Sequence, residues 1–185
     1  MDLAEACPGL ITDTAGEALR AVLQSSHLLN NDAQTVGAAA MGRALEQAYR
    51  QGLKGREPAG PVCNVTGIVG GGQRAGEIGV TAPGLKDGAP GAEQTGVRVT
   101  RADKERSVTF DCVSTRVGST RDAPLRITGF FKDQFHDSEG DAVLGEDYLV
   151  LAHSAAFAIA KELGCEKNGG LPDGALALPR PDSSL

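Results

Sequence analysis

The chain has 185 residues, of which 41% are hydrophobic and 4% aromatic, and its formal net charge at pH 7 is −6. That length gives one domain a core of its own but does not suffice for two full domains. The acidic balance argues against a nucleic acid or an anionic membrane surface as partner, because both attract basic proteins. No stretch of the sequence approaches the ~20 consecutive apolar residues that a transmembrane helix needs.

The N-terminal part of the chain predicts two helices. Thr14-x-x-Glu17 has the form of a capping box, so a helix should begin there, with Leu19 and Leu29 on its buried side. A second helix is predicted over residues 33–51, where two glycines lower the helix propensity.

Beyond residue 61 the hydrophobic pattern alternates, which predicts an antiparallel sheet of about five strands. The predicted strands cover residues 62–69, 77–81, 96–101, 107–115 and 125–131. Residues 70–72 and 102–105 are predicted hairpin connections, and residues 83–91 a mobile loop. Alternation places Val108, Phe110 and Cys112 on the apolar face of the sheet and Arg98 and Arg126 on the opposite face.

A C-terminal helix is predicted over residues 146–163, because apolar residues recur at helical spacing and Gly164 can end the helix. Its apolar stripe should dock on the apolar face of the sheet. The predicted fold is therefore α+β, with N-terminal and C-terminal helices packed on one face of the sheet. The domain should span residues 1–168, followed by a disordered tail over residues 169–185 that is rich in glycine and proline.

The four cysteines, Cys7, Cys63, Cys112 and Cys165, are isolated from one another and from any histidine at ligand spacing. A zinc site is therefore disfavoured, and two disulfides formed in an oxidising compartment are favoured over four buried thiols. The predicted docking of the C-terminal helix favours Cys112–Cys165 and Cys7–Cys63, although sequence alone permits three pairings.

The cysteines and the N-terminus predict different compartments. Met1 is followed by Asp2 and not by a basic and then an apolar segment, which taken literally predicts a cytosolic protein. Two disulfides predict instead that a targeting segment is absent from this chain.

Two motifs suggest ligands. The run Gly70-Gly71-Gly72 can be fitted to a nucleotide-binding fingerprint, but a predicted strand follows it where phosphate binding needs a helix, so a hairpin is favoured. Asp137, Glu139 and Asp141 alternate as at the start of a calcium loop. The EF-hand pattern then fails, so a solvated loop is favoured, and a weak calcium contact is the only cofactor that the sequence suggests.

The histidines favour structural roles. His153 is next to Ser154 on the predicted helix, and helix neighbours point in different directions, so the two do not form a base and nucleophile pair. His136, within the acidic run, would be the centre of any hydrolytic site in the loops.

The order of these features resembles small secreted or membrane-anchored ectodomains of actinobacteria. The shared features are Cys7 before a helix, Cys63 and Cys112 on strands, and an alanine-rich last helix that ends in Gly164-Cys165. The resemblance implies a location outside the cytoplasm, and it implies no reaction.

The sequence thus predicts a non-enzymatic extracytoplasmic binding module. Its protein or cell-surface partner would contact the outer sheet face around Arg98 and Arg126, or the loop over residues 83–91. Two alternatives stay open: a small extracytoplasmic hydrolase with a site near His136, and a cytosolic adaptor or assembly subunit with free thiols.

Overall fold

A computed structural model shows an α+β fold with a six-stranded antiparallel sheet. It describes residues 3–25, 27–30, 35–52, 59–82, 96–135 and 138–180. The elements in chain order are α1 (Leu3–Ala6), α2 (Asp13–Leu23), β1 (Leu28–Asn30), α3 (Gly37–Arg50), β2 (Ala59–Val69), β3 (Gly72–Thr81), β4 (Arg98–Ala102), β5 (Glu105–Cys112), β6 (Leu125–Asp133) and α4 (Ser138–Glu162). Two 3₁₀ turns, Glu166–Gly170 and Ala175–Ala177, follow α4.

The strand order is β1-β2-β3-β6-β5-β4, and each neighbouring pair is antiparallel. Gly70 and Gly71, with φ of 53° and 86°, form the two-residue turn between β2 and β3, where a tight hairpin requires positive φ. Asp103 and Lys104 connect β4 to β5. Both predicted hairpins are confirmed, and β3 begins directly after its turn instead of at the predicted Glu77.

Two predictions at the N-terminus are wrong. The cap of α2 is Thr12, whose Oγ1 accepts a hydrogen bond from the backbone N–H of Ala15 at 3.2 Å, so the helix begins before Thr14. The helix ends at Leu23, and Leu29 lies instead on β1, where its side chain is 47% exposed. Three residues are too few for strand periodicity to show in the sequence, and pairing with β2 determines their conformation.

Helix α4 packs against β5 and β6 at very close range. A methyl group added at Gly129 on β6 would lie 2.6 Å from the backbone nitrogen of Ala156 and 2.8 Å from the carbonyl oxygen of Ala152. The helix and strand backbones therefore approach each other directly, which small residues permit. Around this contact Tyr148 and Ile159 are fully buried, and the predicted docking of this helix on the apolar sheet face is confirmed.

The apolar character of α4 is explained by burial within the domain. One helical segment in the described part of the chain, Val143–Glu162, is long and apolar enough to cross a bilayer, and 50% of its most apolar window is buried. The sheet covers one side of α4, and α2 and α3 contact it from other sides. It is therefore a core helix, and the described residues contain no clear transmembrane segment.

The structure contains two disulfides with the pairing that the sequence analysis favoured. Cys7–Cys63 joins the turn before α2 to β2, with 5.3 Å between the Cα atoms. Cys112–Cys165 joins the end of β5 to the residue that follows the turn after α4, with 5.0 Å between the Cα atoms. All four cysteines are paired, which argues against an adaptor with free thiols.

Residues 169–180 are folded onto the domain, so the predicted disordered tail is wrong for them. Leu171 is 5% exposed and Leu178 is 9% exposed, and the carbonyl oxygen of Pro172 lies 2.8 Å from a ring nitrogen of His153 on α4. Glycine and proline suggested disorder, but burial of the two leucines orders the segment. Residues 181–185 lie outside the described part.

We expect Gly129→Ala to lower the free energy of unfolding by about 3 kcal/mol, because the new methyl would overlap the backbone of α4. Gly174→Ala is the matched control, since a methyl there has no neighbour within 4 Å and the backbone φ is −137°. Urea denaturation of both variants measures the effect. Equal stability of the two variants would contradict the close contact.

Candidate ligand groove

A groove of about 500 Å³ runs along the side of α4 that faces away from the sheet. Residues 150–161 of α4 line it, together with residues 9–14 and residues 173–177. We call it the His153 groove. Most of its lining is apolar, with a few polar groups, and its volume lies in the range of small-molecule sites, roughly 300–1,000 Å³.

Three side chains, each one helical turn from the next, follow the groove. The rings of His153 and Phe157 stack with centroids 5.5 Å apart and an interplanar angle of 27°. The Lys161 ammonium lies 4.5 Å from the centroid of the same Phe157 ring, which is a cation–π contact. Because residues four apart share a helix face, the spacing His-x-x-x-Phe-x-x-x-Lys creates this row.

Two of the hydrogen-bonding side chains that line the groove, His153 and Ser154, are occupied by main-chain carbonyls. His153 Nε2 lies 2.8 Å from the carbonyl oxygen of Pro172, so this nitrogen carries the proton and donates it. The Ser154 hydroxyl donates to the carbonyl of Leu10. These contacts fix the two walls of the groove to α4, and His153 and Ser154 each bond to a different main-chain carbonyl.

The remaining ring nitrogen of His153, Nδ1, has no hydrogen-bond partner among the described residues, and His153 lines the groove. The structure gives His153 only the contacts to Pro172 and Phe157. Within the described residues, no buried side-chain nitrogen or oxygen lacks a hydrogen-bond partner. Nδ1 is therefore not fully enclosed by the protein, and in the neutral tautomer it is a hydrogen-bond acceptor.

Burial lowers the pKa of His153 below the ordinary value for histidine. The hydrogen bond to Pro172 and the negative charge of Asp173 act in the opposite direction but are smaller. His153 is 6% exposed, and loss of water around an imidazolium disfavours the charged form. The ring is therefore predominantly neutral at neutral pH.

The outer wall of the groove is positioned by a left-handed turn. Lys167, Asn168, Gly169 and Gly170 have φ values of 48°, 53°, 69° and 78°. This conformation is unfavourable for lysine by about 1–2 kcal/mol, whereas asparagine and glycine adopt it more readily. Gly169 packs so closely on the Phe110 ring that a methyl there would lie 2.3 Å from a ring carbon. The turn thus directs the chain back across α4, where Pro172 reaches His153.

The structure places Arg98 and Arg126 in different environments on the outer sheet face. Arg98 is exposed on the edge strand β4. Arg126 makes a bidentate ion pair with Asp111, with distances of 2.9 and 3.1 Å, and both side chains are 14% exposed. The ion pair holds the Arg126 side chain against Asp111 on the neighbouring strand β5. Partner binding through Arg98 and Arg126 stays a prediction.

The proposed metal ligands are not brought together within the described part of the chain. Asp137 and His136 lie outside the described residues, and the backbone of Glu139 and Asp141 belongs to α4, which begins before the predicted Glu146. Among the described residues no group of three potential ligands could hold a metal ion. The calcium contact and the hydrolytic site near His136 stay predictions, as does contact through residues 83–91, which are also outside the described residues.

A second polar cluster lies under the first half of α4 and is closed to solvent. The Tyr148 hydroxyl donates to Asp133, and Arg106 donates to the carbonyls of Ala102 and Glu105 at 3.2 and 2.9 Å. Arg106 is 5% exposed and Asp133 is 2% exposed. Each of these polar side chains has a hydrogen-bond partner in the interior, which is a structural role.

Only part of the groove has a signal in the sequence. The row of His153, Phe157 and Lys161 has a visible signal, namely spacing of four residues on a predicted helix. What the sequence does not show is that residues 9–14 and 173–177 come to lie beside that row. No family model matches the chain, and no curated protein or solved structure matches it at significant similarity.

We expect the stability of the protein to fall as the pH drops below the ordinary histidine pKa of about 6.5. The folded state holds His153 neutral through its lowered pKa, so the unfolded state binds the proton more readily in this pH window. The contribution of neutral His153 to the stability of the folded state is complete above pH ~6.5. It is lost as the pH falls toward the lowered pKa of His153 in the folded state.

His153→Gln should reduce this pH dependence, measured by urea denaturation at about pH 7.5 and about pH 5.5. His27→Gln is the control, because His27 is exposed and away from the groove. The assignment fails if His153→Gln and the wild type lose the same stability between the two pH values.

Proposed function

We propose that the protein is an extracytoplasmic, non-enzymatic binding module whose small ligand occupies the His153 groove. The observation that carries this proposal is the groove itself. It combines an apolar lining with an acceptor on His153 that has no protein partner and a cation on Lys161. Small-molecule sites have this composition: an apolar lining with a few polar groups that fix orientation.

The groove chemistry favours binding over catalysis. A nucleophile needs a base within hydrogen-bond reach. The hydroxyl of Ser154 and Nε2 of His153 are each engaged with a main-chain carbonyl. Both side chains therefore serve to hold the walls of the site in place.

The disulfides support the extracytoplasmic location. They have sequence separations of 56 and 53 residues. A covalent loop of that size contributes about 4 kcal/mol in the chain-entropy model. Such bonds persist in oxidising compartments and are rare in the reducing cytosol. A domain with both bonds is therefore suited to the cell exterior, which agrees with the resemblance to actinobacterial ectodomains.

We expect the uncharged dye Nile red to bind the wild-type protein with increased, blue-shifted fluorescence, because the groove shields it from water. Ala158→Trp should weaken binding at least about tenfold, since Ala158 is a half-buried lining residue and the indole would fill the groove. Fluorescence titration measures both affinities.

Ala44→Trp is the matched control for Nile red binding. Ala44 is exposed on α3, so the same substitution adds an indole away from the groove. Circular dichroism should show that both variants are folded. Equal dye affinity of the Ala158→Trp variant and the wild type would remove the groove as the binding site.

We expect protein purified from its native host with immediate alkylation to contain no modified thiol. After reduction, all four cysteines should become modified, as measured by intact mass. Modification of four thiols without reduction would contradict the extracytoplasmic location and leave the groove proposal to be judged by dye binding.

A further inference from the structure

We infer that the ligand of the His153 groove is a small amphipathic carboxylate. Its carboxylate pairs with Lys161, and its apolar chain lies along Phe157 toward His153. This inference rests on the proposed function, because it specifies the ligand of the same groove.

The charges of the groove are separated along its length. Lys161 is the one cationic lysine or arginine among the described lining residues, and Asp173 is the one anionic residue. Lys161 follows His153 by two turns of helix, which is about 12 Å along the axis. Asp173 is adjacent to Pro172, the residue that accepts the hydrogen bond from His153. An anionic group is therefore attracted to the Lys161 end and repelled from the His153 end.

Lys161 is positioned to receive an anion. Its ammonium is held over the Phe157 ring, and no carboxylate of the described residues lies within ion-pair distance of it. The side chain is exposed, so a carboxylate can approach it from the open side of the groove. The cation–π contact leaves the N–H donors that point away from the ring available for hydrogen bonds.

The middle of the groove fits an apolar chain. Val150, Phe157 and Ala158 form its floor on α4, and each is only half-buried by the protein. Leu176, on the outer wall, is 90% exposed. A bound alkyl chain would cover these side chains and remove apolar surface from water.

The His153 end fits a neutral group that donates a hydrogen bond. Nδ1 is an acceptor there, and a carboxylate is itself only an acceptor when ionised. The reversed orientation would place the ligand carboxylate beside Asp173 and opposite Nδ1. The polar groups at the two ends therefore select the same orientation.

The test is displacement of Nile red by decanoate, decanol and decylamine, which share one chain length and differ in the head group. Decanoate should displace the dye at a concentration about fivefold lower than decanol, because a partly exposed ion pair contributes up to about that factor. Decylamine tests the opposite polarity: Lys161 repels its ammonium and Asp173 attracts it, so it should bind in the reversed orientation and should not be weakened by Lys161→Gln.

Lys161→Gln should remove the advantage of decanoate over decanol and leave decanol unchanged. Lys132→Gln is the control, because Lys132 is an exposed lysine on β6 outside the groove, and it should behave as the wild type. Lys161 is exposed, so its replacement does not threaten the fold.

The outcomes separate the two proposals. Equal displacement by the three probes, or a decanoate advantage that survives Lys161→Gln, overturns the carboxylate assignment while dye binding in the groove stands. Dye binding that is absent, or that is insensitive to Ala158→Trp, overturns the proposed function and the carboxylate assignment together.

Discussion

The close contact between α4 and the sheet at Gly129 is the constraint on which the rest of the structure depends. Because a strand backbone and a helix backbone meet there, Gly129 cannot be larger without displacing the helix, and Ala152 and Ala156 opposite it are fully buried. The contact fixes the height and rotation of α4 over β6. The Cys112–Cys165 bond then ties the chain just beyond the end of α4 to the end of β5, so the helix is held both by packing and covalently.

The groove is a consequence of this placement. With one side of α4 on the sheet, the row of His153, Phe157 and Lys161 faces the opposite way. The chain after Cys165 then turns back through four left-handed residues and brings Pro172 over that row. Backbone strain of this kind persists where surrounding contacts determine the conformation. Here the strained turn positions residues 173–177, which form one wall of the groove.

The sequence predicted what depends on local pattern and missed what depends on distant contacts. Alternating residues predicted β5 and β6, and glycine turns predicted the hairpins, because side-chain period and turn geometry act over a few residues. The apolar stripe of the C-terminal helix was predicted to dock on the sheet face that carries Cys112. That docking favoured the Cys112–Cys165 pairing that the structure contains. In contrast, β1 is too short for a pattern, and the order of residues 169–180 depends on burying Leu171 and Leu178. The groove needs three segments that only the fold brings together.

The claim that the outer side of α4 is a ligand surface is tested most directly by amide NMR during titration with decanoate. We predict saturable chemical-shift changes concentrated in residues 150–161 and 173–177, the two segments that carry Lys161 and the outer wall. Changes concentrated on the outer sheet face around Arg98, or no saturable change, would contradict the account and direct attention to the sheet as the binding surface.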